Sequence, residues 1–197
     1  MSHAGGAASP WLLHWAHLIR PGGRVLDLAA GGGRHSRWLA ANGFAVTAVD
    51  RDADAMRALA DVAETLVADL EGAPWPLADR RFDAVLVTNY LWRPLFPAIV
   101  AALAPGGVLV YETFSAGNET VGRPSRPDFL LGRGELLGVA ANLHVVAYED
   151  GFLADPDRFV QRIAAVRPAI DAGPPRHALV APGAGSEPGR GSLESTG

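Results

Sequence analysis

The stretch Val25-Leu26-Asp27-Leu28-Ala29-Ala30-Gly31-Gly32-Gly33-Arg34-His35-Ser36 constrains this chain more than any other. A short apolar run of strand character enters three consecutive glycines and leaves them with helical spacing. Glycine lets the backbone turn sharply there and lets a ligand approach without Cβ atoms in the way. Such a strand–loop–helix unit belongs to open α/β sheets, whose ligands lie in the crevice at the carboxyl ends of the strands. Two carboxylates sharpen the assignment. Asp27 lies at the end of the strand, under the loop. Asp50 ends the next apolar run, Thr47-Ala48-Val49-Asp50, about 20 residues on, where an acidic side chain can accept hydrogen bonds from both hydroxyls of a ribose. The combination indicates a nucleoside.

Charge narrows the kind of nucleoside. A dinucleotide would set its pyrophosphate on the helix N-terminus beside the loop, where Asp27 repels it. A cofactor with an ammonium and a sulfonium is attracted instead. Ser36 also stands where the dinucleotide fingerprint has glycine or alanine. These features favour S-adenosyl-L-methionine (SAM) over a nicotinamide or flavin cofactor.

The rest of the chain reads as alternating strands and helices. Ser9-Pro10 supplies an N-cap and a first-turn proline for a helix over residues 10–20, stopped by Pro21-Gly22-Gly23. Strands are expected over 24–28, 44–49, 64–68, 82–88 and 108–113, with helices over 34–42, 52–62 and 94–103. Pro74 and Pro76 leave the link 69–81 with little or no crossover helix. Pro105-Gly106-Gly107 is expected to turn the chain into the fifth strand. A polar insertion over 115–133 follows, then a helix over 134–142 and an antiparallel strand pair over 143–148 and 159–166. The expected fold is a Rossmann-like, doubly wound, mostly parallel seven-stranded sheet with an antiparallel last strand. One domain spans 1–167, and the Gly/Pro/Ser-rich residues 168–197 are expected to be a disordered tail.

From residues 24 to 166 the chain resembles the class I SAM-dependent methyltransferases, and Tyr111-Glu112-Thr113-Phe114 with the loop through Gly122-Arg123-Pro124 resembles a small bacterial branch of the tellurite-resistance type. The likeness rests on the Asp27 loop, the acidic strand end at Asp50 and Ala68-Asp69-Leu70. Phe82-Asp83-Ala84-Val85-Leu86-Val87 and the turn Leu103-Ala104-Pro105-Gly106-Gly107 also match. The resemblance implies that Asp27, Ala29, Gly31 and Gly33 line the methionine end of SAM. It implies that Asp50 holds the ribose, and that Asp69 and the Leu70 backbone read the adenine edge. Two residues depart from the family pattern. Ala29 stands where a glycine is usual, and Arg51 replaces an apolar residue that packs on adenine, where a guanidinium can stack instead.

Methyl transfer from SAM asks the protein mainly to align an acceptor and exclude water. Residues at the ends of the fourth and fifth strands face that position: Asn89, Tyr90 and Arg93, then Tyr111 and Glu112. Asn89, Tyr90 and Glu112 are the catalytic candidates, with Asn89 also a cofactor contact. Glu112 is a candidate base because a carboxylate ending a buried strand is costly unless paired or in a cleft. Arg93 and Tyr111 are candidate substrate contacts, with Arg123 and Arg126 of the insertion, which are expected to lie over the cleft as a lid together with Arg133. No metal site is expected, since His14, His17 and His35 have no further ligand nearby in sequence.

The acceptor expected is a small molecule. A net charge of −4 argues against a general nucleic-acid binder, although an RNA or protein methyltransferase and a catalytically silent SAM-binding module remain as alternatives. There is no cysteine, which is compatible with a cytoplasmic location. No apolar run approaches the ~20 residues of a membrane span, and the N-terminal residues do not read as a secretory signal.

Overall fold

A computed structural model of the chain describes residues 6–169 and 176–182. Seven strands form one sheet in the order β3-β2-β1-β4-β5-β7-β6. β1 (Arg24–Leu28), β2 (Ala45–Asp50), β3 (Glu64–Val67), β4 (Phe82–Thr88) and β5 (Leu103–Phe114) run parallel. β7 (Arg158–Val166) is antiparallel to β5 and to the edge strand β6 (His144–Leu153). The expected fold and its reversed last strand are both present.

The central strands are apolar throughout because helices cover both faces. On one face, α1 (Pro10–Trp15) and α2 (Arg34–Ala41) pack Trp11, Leu12, Trp15 and Leu39 against Val25, Val46, Leu86 and Val110. α3 (Ala53–Arg57) adds Met56, which packs with Leu59 on Ala48. On the other face, α4 (Phe96–Ala101) and α5 (Glu135–Val139) bury Ile99 and Leu136 against Leu26, Val85, Leu109 and Ile163. Burying a side chain of this size contributes about 1.5–3 kcal/mol, so the two layers jointly hold the crevice end of the sheet in place.

The link between β3 and β4 contains no helix, as its prolines require. The fifth strand departs from expectation. It begins at Leu103, which pairs with Phe82, and a register shift between Phe82 and Ala84 accommodates the Pro-Gly-Gly segment within the strand. β6 is likewise longer than expected and forms a hairpin with β7 through residues 154–157. The expectation of disorder over 168–197 falls largely outside the described residues. Within 176–182, the Ala178 carbonyl lies 2.9 Å from His17 Nε2. Among the described residues, no helix is long and apolar enough to cross a membrane.

Candidate functional site

β1, β2 and β4 end side by side, and their carboxyl ends open on two cavities that share Ala29 and Asn89. The first, of about 310 Å³, is lined by Asp50, Arg51, Asp69, Leu70, Glu71 and Tyr90. The second, of about 510 Å³, is lined by the glycine loop with Gly6, Arg34, His35 and Thr88. Ala29 and Asn89 both adopt left-handed backbone, each with φ of 55°. Neither is a glycine, so each carries strain of about 1–2 kcal/mol. The strain turns the chain out of β1 and β4 at the place where the two cavities join.

Asp50 is the last residue of β2. Its Oδ2 accepts from the Gly31 N–H at 2.8 Å and its Oδ1 from the Asp52 N–H at 2.9 Å. These bonds orient the carboxylate and leave lone pairs for a ligand, since an ionised carboxylate has about four acceptor sites. Asp69 Oδ1 is set in the same way by the Glu71 N–H at 3.0 Å. Glu71 lines the cavity too and was not foreseen from sequence, although its place next to Asp69-Leu70 could have suggested it. Tyr90 keeps its buried hydroxyl without a partner among the described residues. Burial, with Glu71 and Asp69 nearby, pushes its phenol well above the usual range.

Asp27 is buried beneath the glycine loop and accepts from Ser36 Oγ at 2.6 Å. Desolvation pushes its carboxyl up to about 6 from the ordinary 3.8, against the opposing bonds from Ser36 and the charge of Arg34. An adjacent ligand cation would restore the ionised form. Gly33 caps α2 in left-handed backbone, and a Cβ there would collide with the Leu59 side chain. A glycine there lets the start of α2 pack against Leu59 below the loop. His35 is 4% exposed, and its Nε2 has no partner among the described residues. Desolvation and Arg34 lower its pKa to about 4, so it is neutral at ordinary pH. The buried Thr88 Oγ1 is unpartnered as well. Three of the side chains around the crevice thus keep unused hydrogen-bonding capacity, which is unusual for buried polar atoms without a ligand to serve.

The acceptor-side residues expected from sequence divide differently. Asn89 and Tyr90 line the crevice. Glu112 does not: its Oε1 accepts from Ser9 Oγ at 2.8 Å and its Oε2 lies 3.4 Å from Arg162. Burial on the α1 face, with a paired guanidinium, replaces the role of a free base. Arg93 is tied to Glu135 at 2.7 Å and donates to the Asp128 and Leu130 carbonyls. It pins the insertion to the start of α4, with four of its five N–H groups committed to Glu135, Asp128 and Leu130. Tyr111 is fully buried, with its hydroxyl donating to the Tyr90 carbonyl at 2.9 Å. It buttresses the loop after β4 rather than entering the crevice. Arg123, Arg126 and Arg133 are exposed, and Arg126 pairs with Asp128 at 2.9 Å. None of the three lines either cavity. The insertion is instead anchored beside β7, where Asn118 Oδ1 accepts from the Phe159 N–H and Asn118 Nδ2 donates to the Pro124 carbonyl. The lid expectation is corrected accordingly. His17 faces the His14 and Ala178 carbonyls through its two ring nitrogens.

Comparison with known proteins agrees with this geometry. A family profile described as a methyltransferase domain matches residues 25–107, from β1 into β5. A ribosomal RNA small subunit methyltransferase H from Nostoc is 54% identical over 43 residues, which are 21% of this chain and 14% of that protein. TehB from Haemophilus influenzae superposes with a TM-score of 0.65 at 20% identity, covering 77% of this chain and 59% of TehB. A SAM-dependent methyltransferase from Methanosarcina mazei gives 0.65 at 15% identity, over 83% of this chain and all of that one. The chain thus spans a small part of the Nostoc relative and under two thirds of TehB.

Proposed function

Because this chain carries a methyltransferase domain with the class I SAM-dependent fold, we propose that it transfers the methyl group of SAM to a small-molecule acceptor. The observation that carries this is the two-part crevice, acidic at Asp50, Asp69 and Glu71 and underlain at its other end by the buried Asp27. The first cavity suits an adenosine. Asp50 takes the two ribose hydroxyls, Asp69 and the Leu70 backbone take the adenine edge, and Arg51 stacks on the ring. The second cavity suits the amino-acid end. The Ala29 and Gly31 backbone lies along it, Asp27 attracts the ammonium, and the neutral His35 and Thr88 supply hydrogen bonds.

SAM supplies a methyl carbon on a positively charged sulfur. With SAM bound, the carboxylates and backbone around the crevice would hold it so that this carbon faces an acceptor. Asn89 stands where the two cavities join and Tyr90 lines the first beside it, and in this reading they align the acceptor and exclude water. The left-handed turn at Asn89 and the Tyr111 hydrogen bond to the Tyr90 carbonyl hold these two residues in place. A small acceptor is favoured by the net charge of −4, which repels polyanions. A chain without cysteine also fits the cytoplasmic location included in this reading.

Calorimetric titration with SAM, S-adenosylhomocysteine and NAD tests the cofactor. Micromolar binding of the first two is expected; heat from NAD alone would overturn it. Incubation with methyl-labelled SAM and a fractionated bacterial lysate tests the acceptor. Label should enter the small-molecule fraction, and exclusive labelling of RNA or protein would refute that part.

A further inference from the structure

The cavity at the glycine-loop end has one wall that comes from outside the sheet and its loops. Gly6 lines it, and Gly6 belongs to the segment that leads into α1. Three anchors set the path of that segment. Arg34 Nη1 donates to the Ala7 carbonyl at 3.2 Å. Ala8 is buried in the core under α1. Ser9 is buried and uses its hydroxyl twice, donating to Glu112 Oε1 at 2.8 Å and accepting from the Trp11 N–H at 3.1 Å.

Glu112 reaches Ser9 from β5 and is held from its other side by Arg162. Arg162 lies over the Trp11 ring at 4.8 Å and pairs with Glu149 of β6 at 2.6 Å. A buried carboxylate is costly unless its oxygens are satisfied. Ser9 supplies one of the two partners that make Glu112 tolerable, so the position of Glu112 dictates that of Ser9. Glu112 is also in register with Thr88, which lines the same cavity. The anchor and the cavity therefore share one strand pair.

We propose that Ser9 and Glu112 are positioning residues that hold residues 6–9 as the outer wall of the cavity for the cofactor's amino-acid end. This wall makes the site prefer a nucleoside carrying that end over one without it. The proposal rests on the SAM reading above. No residue of 6–9 lines the adenosine cavity, which gives the proposal its signature.

The full chain is titrated with S-adenosylhomocysteine and with 5′-methylthioadenosine, which lacks the amino-acid end. Ser9→Ala should weaken S-adenosylhomocysteine fivefold or more and leave methylthioadenosine within twofold. Ser9→Thr, which keeps a hydroxyl donor and cap, should restore wild-type affinity. Ile19→Val, a mild core change at the far end of the N-terminal helical segment, controls for stability and should change neither. Unchanged S-adenosylhomocysteine binding by Ser9→Ala overturns the proposal alone. So does an equal loss for both nucleosides, or the same loss in Ile19→Val. A wild-type chain that binds neither nucleoside overturns the SAM reading, and the wall with it.

Discussion

Replacing Asp27 with asparagine should make the ligand-free protein more stable and a worse binder, and the two effects have one cause. The carboxyl is raised from 3.8 to about 6 chiefly because it is buried. The folded state therefore holds this proton more tightly than the unfolded chain. For an acid raised in this sense, the stability contribution is full below pH 3.8 and is lost as pH climbs through about 6. The difference corresponds to about 3 kcal/mol at pH 7 and above. A carboxamide does not ionise and can still accept from Ser36, so the variant escapes that loss. Urea unfolding of the ligand-free protein between pH 5 and 8 measures it. The gain in Asp27→Asn should approach about 3 kcal/mol at pH 8 and shrink toward pH 5. Calorimetry should meanwhile show S-adenosylhomocysteine binding weakened by about 1.5–3 kcal/mol, the size of a lost charge-assisted interaction. For the wild type, binding should strengthen from pH 5 to 7 as Asp27 ionises against the ligand ammonium. Parallel stability profiles for the two proteins, or undiminished binding by Asp27→Asn, would refute the reasoning.

Three further outcomes follow from the same geometry. Asp50→Ala removes the acceptor for two ribose hydroxyls and should cost about 2–4 kcal/mol of S-adenosylhomocysteine affinity by calorimetry; an unchanged Kd in a folded variant would displace the nucleoside from this cavity. Gly33→Ala forces a Cβ into Leu59 and a left-handed alanine at the cap of α2, so thermal unfolding should show a loss of at least about 2 kcal/mol. Ala29→Gly relieves the left-handed strain at the cavity junction and should raise stability in urea by up to about 1 kcal/mol, the added flexibility of glycine in the unfolded chain offsetting part of the relief.

Much of the fold was legible because its signals are local. The strand entering Gly31-Gly32-Gly33, the acidic ends at Asp50 and Asp69 and the prolines of 69–81 each act within a few residues. Backbone turns and strand alternation respond to near neighbours. Asp50, Asp69, Arg51 and Leu70 therefore stand in one cavity, as their positions at strand ends imply. The candidates that moved are those whose surroundings come from far along the chain. Glu112 meets Ser9 from 103 positions away, and Arg93 meets Glu135 from 42. A long, flexible guanidinium goes to whichever carboxylate packing brings near, which no local pattern encodes.

The sequence by itself determined the layered α/β fold, the nucleoside-type loop and the carboxylates at the strand ends, since these depend on residue type at short spacing. Only the tertiary structure decided that β5 runs through Pro105-Gly106-Gly107, where pairing of Leu103 with Phe82 outweighs the local preference for a turn. Only it decided that Asp27 titrates near 6, because desolvation depends on every element packed over the carboxyl. The same holds for Gly6 at the crevice and for the buried bond from Ser9 to Glu112, which joins residues 103 positions apart.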